Sequence, residues 1–178
     1  MSHKLPLPGF AVLVIGAPLT VFAVTATAAP ARPATTVAST LDIVPKPVSA
    51  KTGHGRFTLT RHTRIVAAPG ARAWAELAVA GDLAAYLRPA TGYPLHTVTG
   101  TPHRGDIVLR IGDPGTPKAR NRAEGYQLDT TPSGAKIEAP AAHGLYNGIQ
   151  TFRQLLPAWI SSRRVVREPW STPVVPDA

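Results

Sequence analysis

Glu124-Gly-Tyr-Gln-Leu-Asp129, Ala135-Lys-Ile-Glu-Ala139 and Gly144-Leu-Tyr-Asn-Gly-Ile-Gln-Thr-Phe-Arg-Gln-Leu-Leu-Pro157 together decide the fold. The first two runs predict a hairpin: a strand over 125–130, a turn at Pro132-Ser-Gly134, and a strand over 135–139. The third predicts a helix over about 143–156. Leu145, Ile149, Phe152 and Leu156 fall at i, i+4, i+7 and i+11, one apolar face, and Pro157 ends it. Gly144 and Gly148 share one side of that helix. Glycine in a helix interior costs about 1 kcal/mol relative to alanine, so something must offset it. Gly144 reads as the helix start, and Gly148 as a close approach to a sheet or to another domain.

Upstream, Asp106-Ile-Val-Leu-Arg-Ile111 is β-branched and nearly continuous, as expected of a strand buried on both faces. Residues 71–90 predict a long helix. Leu77, Ala80, Ala84 and Leu87 form its stripe, widened by Leu83, with Glu76 and Asp82 off it; Pro89 and Gly92 close it. Arg56-Phe-Thr-Leu-Thr60 alternates, with Phe57 and Leu59 on one face, and Thr63-Arg-Ile-Val-Ala67 follows. Ile43-Val-Pro-Lys-Pro47 reads as a short edge strand ended by its prolines. Residues 158–178 show little periodicity, with a short strand expected at Val165-Val166. Trp159 and Trp170 there imply packing against something. The sum is an α/β (α+β) two-layer sandwich, a mixed β-sheet carrying two helices.

The N-terminus reads as a targeting segment. Lys4, the apolar run 10–24 and Ala26-Thr27-Ala28 predict a secretory signal peptide over 1–28, followed by a flexible leader over 29–40. The run is shorter than the roughly 20 apolar residues a membrane span needs, so the expected localisation is secreted, with no membrane contact after cleavage. There is no cysteine, and packing alone must hold the fold. The formal net charge is +9. The basic residues are scattered apart from Arg163, Arg164 and Arg167, and no aromatic ladder accompanies them, so no nucleic-acid partner is expected.

Taken in order, Ile43-Val-Pro-Lys-Pro47, Tyr86-Leu-Arg-Pro-Ala-Thr-Gly92, Ile107-Val-Leu-Arg110, Glu124-Gly-Tyr-Gln-Leu128 and the block 144–157 resemble the non-catalytic N-terminal domain of glycoside hydrolase family 20, the β-N-acetylhexosaminidases. Leading domains of family 84 enzymes and α-glucuronidases are the nearest competitors. The Ile-Val-Pro-Lys-Pro opening and the hairpin favour family 20. The resemblance implies a zincin-like domain over 41–157, then a tail, 158–178, leading to a catalytic (β/α)8 barrel missing from this chain. It implies a whole enzyme that removes terminal N-acetylhexosamine from glycans.

No catalytic, cofactor-binding or metal residue is expected in the chain. The family uses an adjacent Asp-Glu pair in the barrel, with the substrate's acetamido group as nucleophile. The ten acids here (Asp42, Glu76, Asp82, Asp106, Asp113, Glu124, Asp129, Glu138, Glu168, Asp177) include no such dipeptide. A barrel needs roughly 250 residues. The six histidines (3, 54, 62, 96, 103 and 143) form no His-Glu-x-x-His. The implied role is to pack against the barrel and stabilise it. A second reading is a free-standing carbohydrate-binding module that stacks sugars on Trp159, Trp170, Tyr126 and Tyr146. A third, a basic polymer-binding protein, rests on charge alone.

Overall fold

The computed structural model describes residues 41, 43–44, 46–114 and 123–176. The expected signal segment 1–28 and leader 29–40 lie outside them. Among the described residues seven strands and two helices follow in order: β1 (Arg56–Thr58), β2 (Ile65–Ala67), α1 (Ala73–Thr91), β3 (Thr97–Thr99), β4 (Ile107–Ile111), β5 (Gln127–Thr131), β6 (Gly134–Ala139), α2 (Ala142–Leu155) and β7 (Ser171–Pro173), with a 3-10 turn at Ala158–Ser161 between the last two. The expected α/β two-layer sandwich with a mixed sheet and two helices is what forms.

Five strands lie in the order β3-β2-β4-β6-β5. β2 runs parallel to β3 and β4, β4 runs parallel to β6, and the β5–β6 hairpin closes antiparallel. β1 and β7 pair antiparallel, and a bridge from Thr130 to Val175 ties them to the β5 edge. Both helices pack on one face of the sheet, α1 over β2, β3 and β4, α2 over β6, β4 and β5. Ile65, Ile107, Leu109, Ala135, Ile137 and Ala139 meet Leu83, Leu87, Leu145, Ile149 and Phe152 in the core, and Phe57 sits against Phe152 with ring centroids 6.4 Å apart.

The hairpin and α2 interlock, which explains why their sequence blocks occur together. An ideal Cβ on Gly148 would strike Ile137 Cγ2, and one on Gly144 would strike the Gly125 carbonyl oxygen and come within 2.9 Å of Ala139 Cβ. The expectation of a close approach holds for Gly148. Gly144, read as a helix start, also needs its missing side chain. The Tyr126 ring lies over Gly148, its hydroxyl is 2.5 Å from Thr151 Oγ1, and Asn147 Nδ2 donates to the Glu124 carbonyl at 3.1 Å.

Several expectations are corrected. β4 is not buried on both faces: Ile107 and Leu109 are buried, but Val108 is partly exposed and Arg110 exposed, because the helices cover one face only. Residues 43–47 form no strand among those described. The Val44 amide donates to Gln154 Oε1 at 2.9 Å and Gln154 Nε2 donates to the Val44 carbonyl at 3.0 Å, so one side-chain amide replaces a neighbouring strand. Glu76 is buried rather than off the stripe. β2 ends at Ala67 while β4 runs on to Ile111, and Glu76 Oε1 accepts the Ile111 amide left without a strand partner, at 2.6 Å. Pro89 lies inside the last turn of α1; Gly92, at φ 67°, ends the helix with its amide on the Arg88 carbonyl.

The stretch after Pro157 joins the fold instead of trailing from it. Trp170 is 1% exposed in the core, and its carbonyl accepts the Leu59 amide at 2.8 Å. Val165-Val166 forms no strand. The Val166 amide donates to the Ala90 carbonyl at 2.8 Å, and the Val165 side chain sits over Gly92.

Candidate functional site: the outer face of the helical layer

α1 has two apolar faces. Val79, Leu83, Ala84 and Leu87 point to the sheet and are buried. On the other side Trp74, Ala78, Gly81, Ala85 and Pro89, at i, i+4, i+7, i+11 and i+15, make a second stripe of apolar and small residues. Trp74 is 76% exposed, Ala78, Ala85 and Pro89 are exposed, and open space surrounds the position a Gly81 Cβ would take. Exposed Asp82 and Arg88 border this stripe, so α1 is apolar on two sides rather than all round, and a helix with a second apolar side normally has it covered. α2 is polar outside: His143, Tyr146 (46% exposed) and Gln154 are exposed, and Asn147 and Gln150 are partly so.

The seam between the helices holds a cation. The Arg153 guanidinium carbon lies 3.2 Å from the Tyr86 ring centroid, and Nη1 donates to Gln150 Oε1 at 2.5 Å. Arg153 Nε is excluded from solvent and has no hydrogen-bond acceptor. This site was not legible in sequence, because Tyr86 and Arg153 belong to different helices. The sequence reading also passes over the outer stripe, although its signal is there in the apolar and small residues at 74, 78, 81, 85 and 89.

The opposite face of the sheet is apolar across β3, β2 and β4, where Val66 is buried, and charged toward β6 and β5. Register places Val98, Val66, Val108, Lys136 and Asp129 in one row, and Arg110, Glu138 and Gln127 in the next. Glu138 pairs with Lys136 at 2.5 Å and with Arg110 at 3.5 Å. At the start of β4, Asp106 takes Arg64 in a two-point pair (2.5 and 3.1 Å) and the His103 amide at 2.7 Å. Burial opposes charge on Asp106, but the hydrogen bonds from Arg64 and His103 and the Arg64 charge outweigh it and hold the carboxyl below its ordinary range. A depression of about 280 Å³ beside it is bordered by His103, Val108, Asp129, Ser133 and Lys136.

Asp106 and Glu138 are engaged in ion pairs with neighbouring cations of the sheet. Among the described residues no three histidines, aspartates or glutamates gather as a metal would require, and no helix is long and apolar enough to cross a membrane. Of the four aromatics considered for sugar stacking, Trp170 is in the core and Tyr126 is packed on Gly148 and Thr151. Tyr146 and Trp159 (44% exposed) remain at the surface.

Residues 40–167 match the model of glycosyl hydrolase family 20, domain 2. A β-hexosaminidase of Porphyromonas gingivalis is 30% identical over 136 residues, covering 76% of this chain and 16% of that protein. The β-N-acetylhexosaminidase of Streptomyces coelicolor A3(2) superposes with a TM-score of 0.61 at 37% identity, over 72% of this chain and 24% of its own. The N-acetyl-β-hexosaminidase of Streptomyces plicatus, solved with Thio-NAglucal, superposes with a TM-score of 0.63 at 37% identity, over 75% and 25%. This chain thus spans about a quarter of the solved relatives and less of the curated one. With a sheet backed by two helices, the hairpin locked to α2, and this match over most of its length, the chain belongs to glycosyl hydrolase family 20, as the family's non-catalytic N-terminal domain.

Proposed function

We propose that this chain serves an exported β-N-acetylhexosaminidase by packing its helical layer against the catalytic barrel, and that it contributes no reacting group itself. The outer stripe of α1 carries the reading: five apolar or small residues in line, with Trp74 at 76% exposure. Exposed apolar surface of this kind marks an interface. The whole enzyme removes terminal N-acetylhexosamine from glycans and chitin fragments, and the chain reaches the outside of the cell through the signal-like segment 1–28. The sheet's charged face suits solvent, where Lys136 and Arg110 stay hydrated beside Glu138.

The test is a fusion in which the full chain replaces the matching domain of the Streptomyces coelicolor enzyme. The fusion should cleave an aryl N-acetylglucosaminide and unfold in one transition. Ala85→Asp, placing a charge on the stripe, should split that transition in two without altering the stability of the chain alone. Independent unfolding of the two parts in the unsubstituted fusion would refute the docking role.

A stand-alone sugar-binding role has weaker support, because Tyr146 and Trp159 are the only members of the proposed platform left at the surface. Retention of the chain on chitin, abolished by Trp159→Ala, would favour it.

A further inference from the structure

Arg153 has the features of an interfacial anchor whose partner lies outside the described residues. Its guanidinium carbon lies over the Tyr86 ring, 3.2 Å from the centroid, so the ring restricts the group before any partner arrives. One of its five N–H groups is used, on Gln150, and Nε is cut off from solvent with no acceptor. Among the described residues the ion pairs involve Arg64, Arg110 and Lys136, and no carboxylate reaches Arg153. Keeping a partly buried cation unpaired is unfavourable, and the cost falls when an anion completes it.

The surroundings name the chemistry of the missing group. The residue sits in the seam beside the apolar stripe of α1, the pattern of an arginine anchor rimmed by surface that excludes water. A planar guanidinium with hydrogens left over fits a carboxylate better than any other protein group. The chain's net charge of +9 favours an acidic counterpart, and the solved relatives are about four times the length this chain covers.

We infer that Arg153 receives an aspartate or glutamate side chain of the catalytic barrel, forming a charge-assisted pair at the centre of the domain interface, an inference that rests on the docking role proposed above. Tyr86 and Gln150 act as positioning residues: one backs the guanidinium, the other accepts from Nη1.

The same fusion tests it. R153M should lower the unfolding midpoint of the fusion by about 3–6 °C more than that of the chain alone, with R153K recovering part of the loss. The R153K fusion treated with a zero-length carbodiimide should yield a peptide joining position 153 to an aspartate or glutamate of the barrel. An equal shift in fusion and free chain would assign Arg153 to packing against Tyr86 alone and overturn the inference. So would the absence of any crosslink from position 153 to a barrel carboxylate. If Ala85→Asp still splits the transition while R153M does nothing, the inference falls and the docking role stands; if neither has an effect, both fall.

Discussion

Replacing Gly148 with alanine sets two known effects against each other. Alanine is favoured over glycine in a helix interior by about 1 kcal/mol. Here the added methyl has no room. It would strike Ile137 Cγ2 and lie 3.3 Å from Tyr126 Cδ2. Ile137 is fully buried on β6 and β-branched, so its χ1 cannot turn freely. Tyr126 is pinned by its hydroxyl on Thr151, and α2 cannot lift locally without loosening Gly144 from the Gly125 carbonyl. Overpacking of this kind costs about 1–3 kcal/mol. With Ile137 Cγ2 well inside van der Waals contact of the new methyl, the cost lies toward the upper end and exceeds the propensity gain, and Gly148→Ala should destabilise the chain by up to about 2 kcal/mol. Gly81→Ala is the control: it lies in a helix too, but with open space around it, so it should stabilise by up to about 1 kcal/mol. Urea unfolding of the two variants beside the parent chain measures the difference, expected as opposite displacements of the midpoint with unchanged slope. A Gly148→Ala chain as stable as the Gly81→Ala chain would refute the claim that the helix is held against the hairpin by its missing side chains.

Trp170→Ala should cost about 3–5 kcal/mol, since the ring lies in the core, while Trp159→Ala should stay within about 0.5 kcal/mol; thermal melts separate them, and equal effects would contradict the placement of β7. Glu76→Ala leaves the part-buried Ile111 amide without its acceptor and should lose about 1 kcal/mol, whereas Glu76→Gln keeps an oxygen there and should lose less, read by urea unfolding. Asp106 has a folded pKa below its unfolded value, so its contribution is present above the unfolded pKa and fades as pH falls through the folded one. Stability of the parent chain should therefore drop below about pH 4 more steeply than that of Asp106→Asn; parallel pH profiles would show that the Arg64 pair contributes nothing.

The parts legible in sequence are those where local period and local contacts agree. The hairpin and α2 are neighbours along the chain, and the Gly144–Gly148 spacing alone marks the side of the helix on which they touch. Elsewhere a distant partner decides. β7 has only three residues and owes its existence to β1, paired through Thr58 and Ser171. Ile43-Val44 looks like a strand but finds its hydrogen bonds on the Gln154 side chain. Glu76 looks solvent-facing by helical period, yet the unequal lengths of β2 and β4 leave an amide that draws it inward. On the proposed docking face, the spacing of residues 74, 78, 81, 85 and 89 carries a second stripe that the reading of the first one hid. The Arg153–Tyr86 stack has no such signal, because nothing in either helix alone specifies the other.

The central claim is that the outer face of α1 is covered in the complete enzyme, and Trp74 reports on it directly. Hydroxyl-radical footprinting of Trp74 should show strong labelling in the free chain, where the side chain is 76% exposed, and several-fold protection in the barrel fusion. Equal labelling of Trp74 in both, with protection appearing instead on the Arg110–Lys136 face of the sheet, would contradict the account.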